Sequence, residues 1–146
     1  MEEAAPFVLV MPSDPRLLGL ARSFVEQVCR YHSWDSCSTE ALVLAAHEAM
    51  QNVLRHAHAT RPAAVVEVRM RCLESGGLEI CLVDQGEPFD IARVPHLEPG
   101  ELRFGGRGVY LIRRLVDELH SEPRQPHGNI LRLVKYPPWT GTSRSG

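Results

Sequence analysis

Three short stretches hold residue types that can do chemistry. Within Ala45 to His58, AAHEAMQNVLRHAH, a carboxylate and an amide, Glu48 and Asn52, stand four residues apart among Ala, Leu, Met and Val. On a helix that spacing stacks both on one face, where the pair looks placed for chemistry. Asp84 ends an apolar run in VDQGEPFD and is followed by Gly86 and Pro88, the pattern of a strand that stops abruptly at a pocket rim. Gly105, Gly106 and Gly108 surround Arg107 ahead of a helical pattern. Glycines there expose backbone N–H groups at the positive end of a helix, which suits phosphate, and the Arg107 guanidinium can reach phosphate oxygens. Taken singly, each signal has a plainer reading: a polar margin on a helix stripe, a common Asp-x-Gly turn, a glycine turn that is neither a P-loop nor a dinucleotide fingerprint.

The elements that must position these residues follow from hydrophobic periodicity. Phe7 to Val10 reads as a strand ended by Pro12. Ser13 or Asp14 can cap a helix that takes Pro15 in its first turn and runs to about Arg30, with Leu17, Leu20, Ala21, Phe24 and Val28 as its apolar stripe. A polar link, His32 to Ser38, precedes a second helix from Thr39 to about His58, capped by Ser38 and with Glu40 in its first turn. Its stripe is Leu42, Ala45, Ala46, Ala49, Met50 and Val53, and Glu48 and Asn52 lie on the edge of it.

From Ala64 the period changes to two. Val66, Val68, Met70 and Cys72 alternate with charged residues, the turn Glu74 to Gly77 follows, and Leu78, Ile80 and Leu82 alternate in turn. The two strands predict an antiparallel hairpin with its polar face in water and its apolar face under the two helices, an α/β two-layer sandwich. Ile91 to Phe104 reads as a loop long enough to be a lid. Gly105 to Leu119 reads as one helix with Ile112, Leu115, Val116 and Leu119 buried, and a turn at Pro126 to Asn129 leads to a last strand, Ile130 to Lys135.

Composition sets the bounds. The 146 residues, 44% hydrophobic, suit one domain, expected over 1–136 with a loose tail over 137–146. A net charge of -2 from 16 basic and 18 acidic residues supplies no field for nucleic acid, so no direct nucleic-acid partner is expected. The N-terminus carries two acids where a signal peptide would carry lysines, and no apolar run approaches the roughly 20 residues that span a bilayer. A cytoplasmic chain with no membrane contact is expected. Cys29, Cys37, Cys72 and Cys81 form no CxxC pair and read as reduced, mostly buried thiols. His47 and Glu48 begin like the zinc-protease motif, but Gln51 stands where its second histidine belongs, which rejects that chemistry.

The order and spacing of the three stretches resemble the GHKL ATPase superfamily, which includes gyrase, histidine kinases and MutL. HEAMQN is similar to the N-box, DQGEPF to the first glycine box, GGRGVYLI to the second, and NILRLVK to the last strand. The resemblance implies the Bergerat fold, a mixed, mainly antiparallel sheet covered on one face by helices. Within the superfamily the likeness is to the small anti-sigma factor serine kinases of the RsbW and SpoIIAB type: Glu48, Asn52 and His56 follow at intervals of four, and the second glycine box ends in Val-Asp-Glu. That likeness implies that Asn52 holds Mg²⁺, that Asp84 accepts a hydrogen bond from the adenine amino group of ATP, and that Glu48 is the catalytic general base. It also puts Gly86, Pro88 and Phe89 in the nucleotide site, with Gly105, Gly106, Arg107, Gly108 and Val109 closing over the phosphates. At a phosphate-contacting position where the wider superfamily often has Thr, this chain has Asn129.

The function so implied is an anti-sigma factor and ATP-dependent serine/threonine-protein kinase. It would sequester a sigma factor, or bind and phosphorylate a STAS-domain anti-sigma factor antagonist, and act as a homodimer. The alternative is an ATP-binding module that binds partners without significant turnover. A sensor histidine kinase fragment is disfavoured, since no helical hairpin bearing a phosphorylatable His is legible ahead of the N-box helix.

Overall fold

A computed structural model describes residues 5–88, 106–124 and 126–138. The chain order is β1 (Phe7–Pro12), a 3-10 turn (Pro15–Leu17), α1 (Leu18–Tyr31), α2 (Ser36–Thr60), β2 (Val65–Cys72), β3 (Leu78–Asp84), α3 (Gly106–Leu115), β4 (Glu118–Pro123) and β5 (Asn129–Lys135). The strands form one sheet in the order β1-β2-β3-β5-β4. Every pairing is antiparallel, so the expected mixed sheet is a purely antiparallel one among the described residues.

Alternation along β2 and β3 works as the sequence implies: Val66, Val68, Met70, Leu78, Ile80 and Leu82 are all buried beneath the helices. Helix α2 lies between α1 and α3, and its Ala45, Ala46, Ala49 and Ala57 are fully buried, small enough to let both neighbours approach. On α1 the buried residues are Ala21, Val25, Val28 and Cys29, while Leu20 is exposed. The expected stripe was therefore rotated, because Val25 and Cys29, not Leu20, complete the face toward α2.

Three local expectations are corrected. The cap of α2 is Asp35, whose carboxylate accepts from the Ser38 N–H at 2.8 Å, so the helix starts at Ser36 and the link before it is shorter. The second glycine stretch does not lead into one helix reaching Leu119. Helix α3 ends at Leu115 and Glu118–Pro123 is the edge strand β4, hydrogen-bonded along β5. Its residues show little alternation of burial, which hid it from periodicity. Finally, the polar face of the hairpin is not all in water: Glu79 is only 5% exposed, gripped by Arg71 at 2.8 Å and by Arg132 across β5. Burial disfavours its charge, but the two guanidiniums outweigh that and hold its carboxyl below the usual range.

All four cysteines are free, as expected, but only Cys29 is buried; Cys72 and Cys81 are partly buried and Cys37 is exposed, and burial pushes the Cys29 and Cys81 thiols up to about 11. No described helix is long and apolar enough to cross a membrane.

Candidate nucleotide site

One edge of α2 carries Glu48, Asn52, His56 and Thr60, each one helical turn from the next. A spacing of four keeps them in a row that stretches about 18 Å along the axis. The row is only partly buried, since it flanks the alanine stripe instead of lying in it.

At the Glu48 end it faces α3. A Cβ built on Gly108 would come 3.3 Å from both Asn52 Nδ2 and Glu48 Oε2. The glycine thus leaves open a small space between the start of α3 and the two polar side chains, which a larger residue would fill. The Asn52 oxygen Oδ1 accepts from Arg55 Nη2 at 2.9 Å.

The other end holds the turn that leaves β3. His56 Nε2 meets the Glu87 carbonyl at 2.9 Å, and Thr60 Oγ1 accepts from the Glu87 N–H at 3.3 Å. Helix α2 therefore grips both polar groups of one residue. Gly86 fits beneath them because it lacks a Cβ: one built there would lie 3.0 Å from Ala57 Cα and from Thr60 Oγ1.

Asp84 is the centre of this end, 2% exposed. Its Oδ1 accepts from the Gly86 N–H at 2.8 Å and from Asn129 Nδ2 at 3.1 Å. The cross-strand register explains the second bond, because Asp84 on β3 stands opposite Asn129 on β5. Asn129 Nδ2 also donates to the Glu87 carbonyl at 2.9 Å. The turn between β4 and β5 closes from the far side: the Gly128 N–H donates to the Gly86 carbonyl at 2.7 Å. Gly128 has φ +111, and a Cβ there would lie 2.5 Å from the Asp84 carbonyl oxygen. Burial raises the Asp84 carboxyl above the usual range, and the bonds from Asn129 and Gly86 only partly offset that. A carboxylate buried at this cost in a turn makes Asp84 a candidate functional residue.

The structure thus joins Glu48 and Asn52 to Asp84 and Gly86 through α2. Pro88 follows as the last described residue of the turn and is half-buried. Gly106 and Arg107 open α3 ahead of Gly108. Val109 has its side chain in the core. Phe89, Gly105 and the loop Ile91 to Phe104 lie outside the described residues. Asn129 belongs to the Asp84 end and not to the glycine end where phosphate was expected, because the register aims it at that carboxylate. Thr60 and Gly128 were missed, although Thr60 only continues the interval of four that runs through Glu48, Asn52 and His56.

Comparison with known proteins places the chain in a family. A family model described as histidine kinase-like ATPase domain matches residues 11–135. The serine-protein kinase RsbW of Bacillus licheniformis is 32% identical over 132 residues, 84% of this chain and 81% of that protein. The anti-sigma F factor of Heyndrickxia coagulans is 28% identical over 93 residues, 61% of this chain and 63% of that one. A crystal structure of RsbU and RsbW domains from a Mycobacterium tuberculosis protein superposes with a TM-score of 0.69 at 15% identity, over 92% of this chain and 33% of that longer one, a likeness of fold. With a sandwich of this topology and a family match across nearly its whole length, the chain belongs to the histidine kinase-like ATPase family, in the branch of the RsbW serine-protein kinases.

Proposed function

We propose that this protein is an anti-sigma factor and ATP-dependent serine/threonine-protein kinase that sequesters a sigma factor and phosphorylates a STAS-domain antagonist in the cytoplasm. The observation that carries the reading is the buried Asp84 carboxylate at one end of the α2 row, with Glu48 and Asn52 facing the glycine start of α3 at the other. The α2 row thus runs from Glu48, the proton acceptor, to the turn after β3 that carries the base-reading Asp84.

Asp84 accepts the adenine amino hydrogen of ATP beside the turn of Gly86 and Pro88, and the family likeness adds Phe89 to the same site. The family likeness assigns the phosphates to Gly105, Gly106, Arg107, Gly108 and Val109, and backbone N–H groups at the start of α3 would favour anions there. A Ser or Thr Oγ of the antagonist attacks the γ-phosphorus; the new O–P bond forms as the bond to the ADP oxygen breaks, and the hydroxyl proton passes to Glu48. General base catalysis of this kind contributes about 10²- to 10⁴-fold. Among the described residues no three His, Cys, Asp or Glu side chains converge on a metal site. Asn52 Oδ1 fits a Mg²⁺ held mostly by nucleotide phosphates and water, the usual habit of that ion. There it would neutralise charge on the transferring group.

The names of the relatives, serine-protein kinase and anti-sigma F factor, support both halves of the reading. The exposed Val8 and Val10 on the edge strand β1 support a homodimer, which sedimentation would read directly. The nucleotide domain is taken to span 1–136, with 137–146 as a C-terminal tail.

The test is incubation with Mg²⁺, ATP labelled on its γ-phosphate, and a purified STAS-domain antagonist. Label on a Ser or Thr of the antagonist, lost in Glu48→Ala while ATP binding persists, is the expected result. No label, with ATP still altering partner binding, would replace the kinase with a binding module.

A further inference from the structure

Asp84 does not offer its carboxylate symmetrically. Its Oδ1 takes two hydrogen bonds, from Gly86 N–H at 2.8 Å and Asn129 Nδ2 at 3.1 Å, which uses both lone pairs of that oxygen. Oδ2 accepts none from the described residues. The Asn129 amide cannot be turned the other way, because both groups it meets there, Asp84 Oδ1 and the Glu87 carbonyl, are acceptors and require its NH₂ side. Asn129 is 7% exposed and fixed by the β3–β5 register, so this arrangement is built into the sheet.

A carboxylate with both oxygens open is a good partner for two parallel donors, as in its pairing with a guanidinium. Guanine presents such a pair, N1–H and the 2-amino group. Adenine presents a single amino donor beside an acceptor, N1. A carboxylate with one oxygen saturated serves adenine fully and leaves the second guanine donor without a partner, a loss that sites built on hydrogen bonds use to reject the wrong ligand.

We propose that Asn129 is a positioning residue that sets nucleobase selectivity: by occupying Asp84 Oδ1 together with Gly86, it leaves one oxygen to read a lone amino group and so favours adenine over guanine nucleotides. The inference rests on Asp84 as the base-reading residue.

The test compares ADP and GDP affinity in Asn129→Thr and Asn129→Val, two side chains of one shape and suited to a strand, of which only Thr can donate to Oδ1. The expected result is that Thr keeps the wild-type ratio of GDP to ADP dissociation constants within about threefold, while Val lowers it by about tenfold or more, the worth of one hydrogen bond to a charged group. A purely structural role would weaken both nucleotides alike; an unchanged ratio in Val overturns the proposal. If the Val chain does not fold, Asn129→Ser against Asn129→Ala gives the same contrast at smaller volume and is judged by the same ratio. Wild-type protein that binds neither nucleotide would instead remove the nucleotide reading itself.

Discussion

Replacing Asp84 by Asn separates what this residue does for binding from what it does to the fold. The two bonds to Oδ1 survive, since the Asn oxygen can take the Gly86 and Asn129 donors. The change falls on the other oxygen, where an NH₂ group now meets the adenine amino group donor to donor. Losing one hydrogen bond to a charged group costs about 1.5 to 3 kcal/mol, or about 10- to 150-fold in Kd. At ATP a hundredfold above the wild-type Kd, the wild-type fold gains about 2.7 kcal/mol and the variant only about 0.3 to 1.3. Without nucleotide the sign reverses. Burial raises the Asp84 carboxyl, so its ionisation works against the folded state once the pH exceeds the ordinary carboxylate range. Asn carries no such cost, so at pH 7 the nucleotide-free variant should melt at the same temperature as the wild type or above it. Melting curves with and without ATP, together with calorimetric titration, read both effects. A variant that binds ATP as well as the wild type, or that loses binding only because its nucleotide-free fold is weaker, would refute the reasoning.

Four further outcomes are expected. Gly108→Ala brings a methyl group against two flexible side chains, Asn52 and Glu48, so melting should change by no more than about 0.5 kcal/mol while phosphorylation falls steeply. Gly128→Ala meets backbone at 2.5 Å in a left-handed conformation and should destabilise the protein by about 3 kcal/mol or more in urea unfolding. Arg55→Ala frees the Asn52 oxygen and should tighten Mg²⁺-dependent ATP binding by about a fewfold, since the bond it removes is exposed and worth about 1 kcal/mol. Glu79, held below the usual carboxylate range by Arg71 and Arg132, contributes stability that is present above its unfolded pKa and lost as pH falls through its lower folded value. Urea unfolding of Glu79→Gln should therefore show a shallower loss of stability below the ordinary glutamate range than the wild type.

Much of this protein was legible from residue order, because the signals were local. Periods of two and four came through: the hairpin of β2 and β3, the α2 stripe, and the pairing of Glu48 with Asn52 each depend on neighbours within one element. So did the three boxes, whose order implied the family that the comparisons then showed. Strand β4 was misread as helix because Val116 and Leu119 extend the apolar spacing of α3, while a half-exposed edge strand has no burial pattern to oppose it. Leu20 was misplaced because helical period alone does not say which way the stripe turns.

What only the tertiary structure decided is the partner of each polar group. Asn129 lies 45 residues beyond Asp84, and no spacing rule links them; their meeting depends on β5, and not β4, pairing with β3. The closure of Gly128 on Gly86 and the gathering of Glu79 between Arg71 and Arg132 have the same origin. Sequence alone determined which residues share a helix face or alternate along a strand, since covalent spacing and backbone geometry set those. Register and strand order decided which oxygen of Asp84 is tied down and which is left open, since hydrogen bonds between distant segments form only after the sheet has been assembled.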